Sequence, residues 1–110
     1  MLNRGVLIVR PKKPYLDWAA GLDDSNLVPP VDGEQTVYLI PTFEDDDQAE
    51  AVPKKVYAEV FEDQLFGWDT EESCWPAKRT FAMFKRWFHV ELHSVVEDLC
   101  ENEIVDEVDV

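Results

Sequence analysis

Two histidines and one glutamate alternate with apolar residues late in the chain, at His89, Glu91 and His93. On a β-strand, residues two apart lie on the same face, so this spacing would place two imidazoles and one carboxylate side by side. Side chains of these types bind zinc or ferrous iron. The spacing therefore indicates a metal site, and with it a metal-binding protein or a metal-dependent enzyme.

The same three residues have a plainer explanation as the water-facing side of an amphipathic strand. Successive residues on one face of a strand lie about 6.6 Å apart, which is long for ligands of a single metal ion. The pattern also departs from the helical zinc-protease motif, in which Glu directly follows the first His. The sequence favours the plainer explanation, and it predicts no cofactor.

A second candidate site consists of four basic residues at and before the helix that Thr80 is predicted to cap. At about 100° per residue they share one side of that helix, and they are Lys78, Arg79, Lys85 and Arg86. Such a stripe could bind an acidic partner, a phosphate-bearing ligand or the protein's own acidic tail. The alternative is a hydrated helix face whose charges pair with nearby acids.

Charge is distributed unevenly along the chain, whose formal net charge is −14. Residues 1–22 and residues 78–93 form two basic islands, each with four bases against one acid. Residues 23–50 and residues 94–110 contain acids and no base. The overall sign argues against binding to nucleic acid, because the phosphates would be repelled at long range. Folding could bring Arg10, Lys12 and Lys13 of the first island near the second.

A chain of 110 residues has the size of one domain. We expect a single domain over residues 1–100 and an acidic tail over residues 101–110. No apolar run approaches the ~20 residues of a membrane span, and the opening residues lack the apolar core of a signal peptide. This predicts a cytoplasmic protein in which Cys74 and Cys100 are free thiols, although the sequence leaves a disulfide between them open.

The pattern of apolar residues predicts the order strand, helix, strand, helix, helix, strand. The first two strands cover residues 5–9 and 36–41, with a helix over residues 14–20 between them. Thr42 is the expected cap of a helix, or two helices joined at Pro53, that runs to Phe66. Helical connections between strands favour parallel neighbours. We therefore expect a small α/β domain with a three-stranded, mostly parallel sheet.

Residues 88–98 fit two structures equally well by pattern. Leu92, Val95 and Leu99 continue the helical stripe of Phe81, Phe84 and Phe88, whereas a period of two separates apolar from polar residues as in a strand. A third strand is favoured because two strands alone make a marginal sheet.

Several short patterns resemble a family of small bacterial proteins of unknown function. They are the stretch from Trp75 to Leu99 and the segments GVLIVRPKKPYLDW and TVYLIP. The resemblance implies a bacterial cytoplasmic protein and supplies no activity or site residue.

The sequence predicts a protein-interaction module more readily than an enzyme, because it contains no phosphate-binding glycine loop, nucleophile elbow or paired-cysteine motif. The expected partner is a protein bound through the basic stripe, with neither nucleic acid nor a membrane as a partner. A metal-binding protein or metal-dependent enzyme that uses His89, Glu91 and His93 is the alternative. The sequence does not determine the oligomeric state.

Overall fold

The computed structural model describes residues 1–29 and 36–107. Its elements follow the predicted order, with a short 3₁₀ turn at Glu72–Cys74 between the last two helices. The strands are β1 (Gly5–Pro11), β2 (Val37–Ile40) and β3 (Phe88–His93). The helices are α1 (Lys13–Ala20), α2 (Asp46–Trp68) and α3 (Phe81–Trp87).

The sheet has the strand order β2-β1-β3, and β1 pairs with both neighbours in the antiparallel direction. The expected mostly parallel sheet was therefore wrong. The chain enters β2 at Val37, opposite Ile8 towards the end of β1, and leaves it at Ile40, opposite Gly5 at the start of β1. The connection therefore does not return to the starting end of β1, as a parallel crossover must. The longer α2 then leads to β3, which also runs opposite to β1.

One face of the sheet carries the core. Leu7 and Val9 of β1 point to this face, whereas the alternate residues of β1 are only partly buried. All three helices contribute buried residues to the same layer, and the core consists of Leu7, Val9, Tyr15, Ile40, Val52, Val60, Phe61, Leu65, Phe84 and Phe88. The fold is thus two layers, with helices over one side of the sheet.

Phe61 of α2 lies at the centre of an aromatic cluster in this core. Its ring centroid is 5.9 Å from that of Phe84, 5.4 Å from that of Trp87 and 5.5 Å from that of Phe88. Aromatic rings at these separations and tilts attract one another beyond the effect of burial alone. Phe61 therefore fastens α2 to both α3 and the first residue of β3.

The helix boundaries agree with some of the predicted caps and not with others. Thr80 caps α3, since its hydroxyl accepts a hydrogen bond from the Met83 N–H at 3.1 Å. The cap of α2 is Asp45 and not Thr42, with the carboxylate accepting from the Gln48 N–H at 2.8 Å. Pro53 lies buried inside one continuous α2, so the alternative of two helices joined there is wrong.

The change from α3 to β3 occurs between Trp87 and Phe88 without an intervening loop. The strand favoured by the period-two pattern is confirmed for Phe88–His93. No helix or strand follows it as far as Glu107, where the described part of the chain ends.

We expect Phe61→Ala to lower the free energy of unfolding by about 3–5 kcal/mol, because it removes a fully buried ring and leaves a cavity among three others. Chemical denaturation followed by tryptophan fluorescence would measure the change. Phe66→Ala is the control on the same helix, since that ring is 56% exposed. Equal losses in the two variants would contradict the central role of Phe61.

A hydrogen-bond network links α1, β2 and α2 through Gln64. The Tyr15 hydroxyl donates to the Gln64 carbonyl oxygen at 2.7 Å, and the Gln64 amide donates to the Tyr38 hydroxyl at 2.8 Å. The Tyr38 hydroxyl in turn donates to the Asp63 carboxylate at 2.6 Å. Burial raises the pKa of Tyr15 to about 12, and burial together with the Asp63 hydrogen bond raises the pKa of Tyr38.

The raised pKa of Tyr15 predicts a loss of stability in alkali. The unfolded chain ionises from the ordinary value of 10.0 upward, whereas native Tyr15 keeps its proton. Its contribution is therefore complete below pH 10 and is lost as the pH rises towards about 12. We expect Tyr15→Phe to make the free energy of unfolding fall less steeply above pH 10, and to cost about 1 kcal/mol at neutral pH through the lost hydrogen bond.

Urea denaturation across the alkaline range would test this expectation. Tyr57→Phe is the control, because the Tyr57 hydroxyl forms no side-chain hydrogen bond with the described residues. A pH dependence in Tyr15→Phe identical to that of the unmodified protein would contradict it.

Candidate functional site

The four basic residues predicted to form one stripe divide into two groups. The guanidinium of Arg79 is partly exposed but already paired: it donates to the Pro76 carbonyl oxygen at 2.8 Å and pairs with the Glu62 carboxylate at 3.1 Å. It also lies 5.8 Å from the ring centroid of Trp75. Arg79 thus ties the segment before α3 to α2. Lys78 is exposed in that segment, outside α3.

Lys85 and Arg86 lie exposed in the last turn of α3, beside the start of α1. The Lys12 ammonium donates to the Lys85 carbonyl oxygen at 3.1 Å, and the Lys12 backbone N–H donates to the Trp87 carbonyl oxygen at 2.8 Å. The two basic islands of the sequence therefore meet at one end of the domain. We call the surface formed by Lys12, Lys13, Lys85 and Arg86 the basic end.

Most charges of the basic end are left available for a partner. Lys13 pairs with Asp17, one turn further along α1, at 2.9 Å. Among residues 1–29 and 36–107, no carboxylate lies within 4.0 Å of the cationic groups of Lys12, Lys85 or Arg86. The C-terminal end of α3 favours positive charge in its last turn, which helps to hold Lys85 and Arg86 there. The basic end can therefore form charge-assisted hydrogen bonds with carboxylates.

Sequence reasoning identified Lys85 and Arg86 but did not establish that Lys12 lies against them. The available signal was the presence of two basic islands in an acidic chain. The sequence does not show that the two islands are neighbours in space. The pairing of β1 with β3 makes them so, since it places Pro11 opposite Phe88 and Arg10 opposite His89.

A groove of about 880 Å³ adjoins the basic end through Lys85. It lies between the N-terminal half of α2, α3 and the inner face of β3. Its apolar floor includes Phe81, Val90 and Leu92, which are all partly exposed. Asp46, Asp47 and Glu50 of α2 contribute acids to the opposite wall. An apolar surface thus continues directly from the basic end.

His89, Glu91 and His93 share the outer face of β3, as the strand pattern predicted. Glu91 links His93 and Arg10 in a small polar network on this face. The His93 Nε2 lies 2.9 Å from a Glu91 carboxylate oxygen, and the Arg10 guanidinium lies 3.5 Å from the other oxygen. The described part of the chain contains no group of three or more His, Cys, Asp or Glu side chains placed to hold a metal ion. The metal site at His89, Glu91 and His93 stays a prediction.

Cys74 and Cys100 are both free and exposed. The free thiols expected for both residues are therefore present. The four tryptophans Trp18, Trp68, Trp75 and Trp87 are partly buried and pack against the core.

No family model, no curated protein and no solved structure matches the chain. The resemblance to small bacterial proteins therefore stays a prediction, and any functional conclusion depends on the chain's own residues.

The network on β3 makes the titration of Glu91 predictable. The hydrogen bond from His93 and the positive charge of Arg10 hold the pKa of Glu91 below its ordinary value of 4.5. The stability that this ionised carboxylate contributes is present above pH 4.5 and is lost as the pH falls through the lower native pKa. We expect a carboxyl-carbon NMR titration of Glu91 with a midpoint below 4.5.

His93→Ala should raise this midpoint more than Arg10→Ala does, because the hydrogen bond is the larger cause. Lys13 pairs with Asp17 and not with Glu91, so Lys13→Ala should leave the Glu91 midpoint unchanged. A midpoint that does not move in His93→Ala would disprove the network.

Proposed function

We propose that this protein is a small, non-enzymatic, cytoplasmic interaction module that binds an acidic protein segment at the basic end. The observation that carries the proposal is the contact between Lys12 and Lys85, which joins two basic islands separated by most of the chain. This contact concentrates positive charge in a protein whose net charge is −14. Charge concentrated against the overall sign marks a place where an acidic partner is attracted while acids elsewhere repel it.

The chemistry of the partner follows from the two surfaces that meet at Lys85. Carboxylates of the partner would bind Lys12, Lys85 and Arg86, which lack acidic partners within the described residues. Apolar side chains next to those carboxylates would enter the groove over Phe81. Lys85 itself lies 4.9 Å from the Phe81 ring centroid, so charge and apolar surface adjoin within one turn of α3. The partner segment is therefore acidic with interspersed apolar residues.

A short protein segment is favoured over nucleic acid as the partner because the basic end is small and the surface around it is acidic. A polyphosphate extends far beyond four basic residues and would lie against the acidic remainder of the surface. A short acidic segment can place all its carboxylates on the basic end and its apolar side chains in the adjoining groove. No helix among residues 1–29 and 36–107 is long and apolar enough to cross a lipid bilayer; placing the module in the cytoplasm is part of the proposal.

A charge-reversal pair tests the proposal. Lys85→Glu with Arg86→Glu should weaken capture of the partner at least about tenfold, since both cations are replaced by repelling acids. Arg4→Glu with Lys55→Glu is the matched control, because it changes the net charge equally with two exposed residues that lie outside the basic end and do not line the groove. The measurement is an affinity pull-down from the source cells with all three proteins, washed at low and high salt and analysed by quantitative mass spectrometry.

The expected result is one stoichiometric partner that the control variant retains at low salt and the Lys85/Arg86 variant loses. High salt should release it from the unmodified protein as well, because screening weakens attraction between exposed charges. Equal loss in both variants, or retention at high salt, would refute binding through the basic end.

A further inference from the structure

The side of the sheet opposite the helices is uncovered within the described residues and has an unusual composition. Three strands contribute side chains to this outer face, which consists of Val6, Ile8, Arg10, Val37, Leu39, His89, Glu91 and His93. None of these side chains belongs to the core or packs against it. The outer face therefore has no role in holding the helices and is available for contact.

Half of the outer face is aliphatic. Val6 lies opposite Leu39 and Ile8 lies opposite Val37, so the four side chains form one continuous block across β1 and β2. Val37 is 54% exposed and Leu39 is 51% exposed. An antiparallel sheet that leaves one face in water normally places polar residues there. A continuous aliphatic block at such positions marks a surface that another protein surface covers.

The other half of the outer face is close to electrically neutral. Glu91 is its one acid and is paired with Arg10 and His93 at 3.5 Å and 2.9 Å. With neutral histidines, the face has no net charge, although the chain as a whole carries −14. Two copies of this chain can therefore bring their outer faces together without bringing unpaired acids into contact. An acidic or basic partner would gain nothing from such a face.

We infer that the outer face is covered by a second copy of this chain, with the aliphatic block of one copy lying on that of the other. A contact of this kind is symmetric, since the same patch serves on both sides. The two sheets would pack face to face, as the sheets of a β-sandwich do, with the helices of both copies on the outside. This inference is independent of the basic end, which lies outside the contact.

The size of the outer face determines the strength expected of the dimer. Three strands of about six residues cover roughly 300 Å² in plan, which is well below the ~800 Å² per partner of a stable interface. The dimer is therefore weak and reversible, with a dissociation constant on the order of micromolar or above.

The sign of the salt dependence separates this contact from the basic end. Each copy carries −14, so the two copies repel one another except where the neutral faces meet. Salt screens that repulsion while apolar contact persists, so dimerisation becomes stronger as salt is added. Binding of an acidic partner at the basic end becomes weaker as salt is added.

Sedimentation velocity over a range of protein concentrations, at low and high salt, tests the inference. Val37→Thr with Leu39→Thr makes two positions of the aliphatic block polar, and both new residues are β-branched and therefore suit a strand. The double variant should raise the dissociation constant of the dimer at least about tenfold. Ile104→Thr with Val105→Thr is the matched control, because those tail residues are 63% and 65% exposed and lie outside the sheet. We expect the control to dimerise like the unmodified protein. Lys85→Glu with Arg86→Glu should also dimerise, which separates this result from the test of the basic end.

Methyl NMR of the unmodified protein on dilution provides a measurement that does not depend on folding of the variant. Signals of Val6, Ile8 and Leu39 should shift with concentration, while those of Val105 in the tail should not. A protein that stays monomeric at every concentration and salt would overturn the inference. Dimerisation that survives the Val37/Leu39 variant, or shifts confined to other surfaces, would overturn it equally.

Discussion

Packing of Phe61 against three consecutive parts of the stretch from α3 to β3 is the contact on which the rest of the structure depends. Its ring contacts Phe84 in α3, Trp87 at the end of α3 and Phe88 at the start of β3. Because α3 passes into β3 without a loop, fixing these rings fixes both the helix axis and the first residue of the strand. Pairing of β3 with β1 then follows with Phe88 opposite Pro11. One aromatic cluster thus determines where the third strand begins.

The basic end is a consequence of that position. When Phe88 lies opposite Pro11, Lys12, which directly follows β1, lies against the last turn of α3. The Lys12 backbone N–H then donates to the Trp87 carbonyl oxygen at 2.8 Å. The Lys12 ammonium is therefore held at the end of α3 by backbone geometry, where it donates to the Lys85 carbonyl oxygen at 3.1 Å. Lys12, Lys85 and Arg86 are available to an external acid because no carboxylate among residues 1–29 and 36–107 pairs with them.

The sequence was sufficient for local features and insufficient for those that depend on distant contacts. The cap at Thr80 and the alternation of His89, Glu91 and His93 are determined by neighbouring residues, and both were predicted. Strand direction depends on the end of β1 at which the chain enters the next strand, and the pairing of Val37 with Ile8 is a contact between residues far apart in the sequence. The same holds for the pairing of Arg79 with Glu62, which removed one member of the predicted stripe. Charge patterns in the sequence identify candidate binding residues, whereas the packing of the folded chain determines which of them stay unpaired.

The net charge of −14 gives the two proposed surfaces different physical requirements. An acidic partner approaching this protein is repelled over most of the surface, so specificity at the basic end comes from the contrast between Lys12, Lys85 and Arg86 and everything around them. A second copy meets the same repulsion and has no contrasting charge to offer over a flat sheet. It can approach only where charge is cancelled and apolar area is exposed, which describes the outer face with its Arg10–Glu91 pair and aliphatic block. One acidic chain can therefore support two contacts with opposite salt dependence. Salt weakens the electrostatic attraction at the basic end, whereas it screens the repulsion that opposes apolar contact at the outer face.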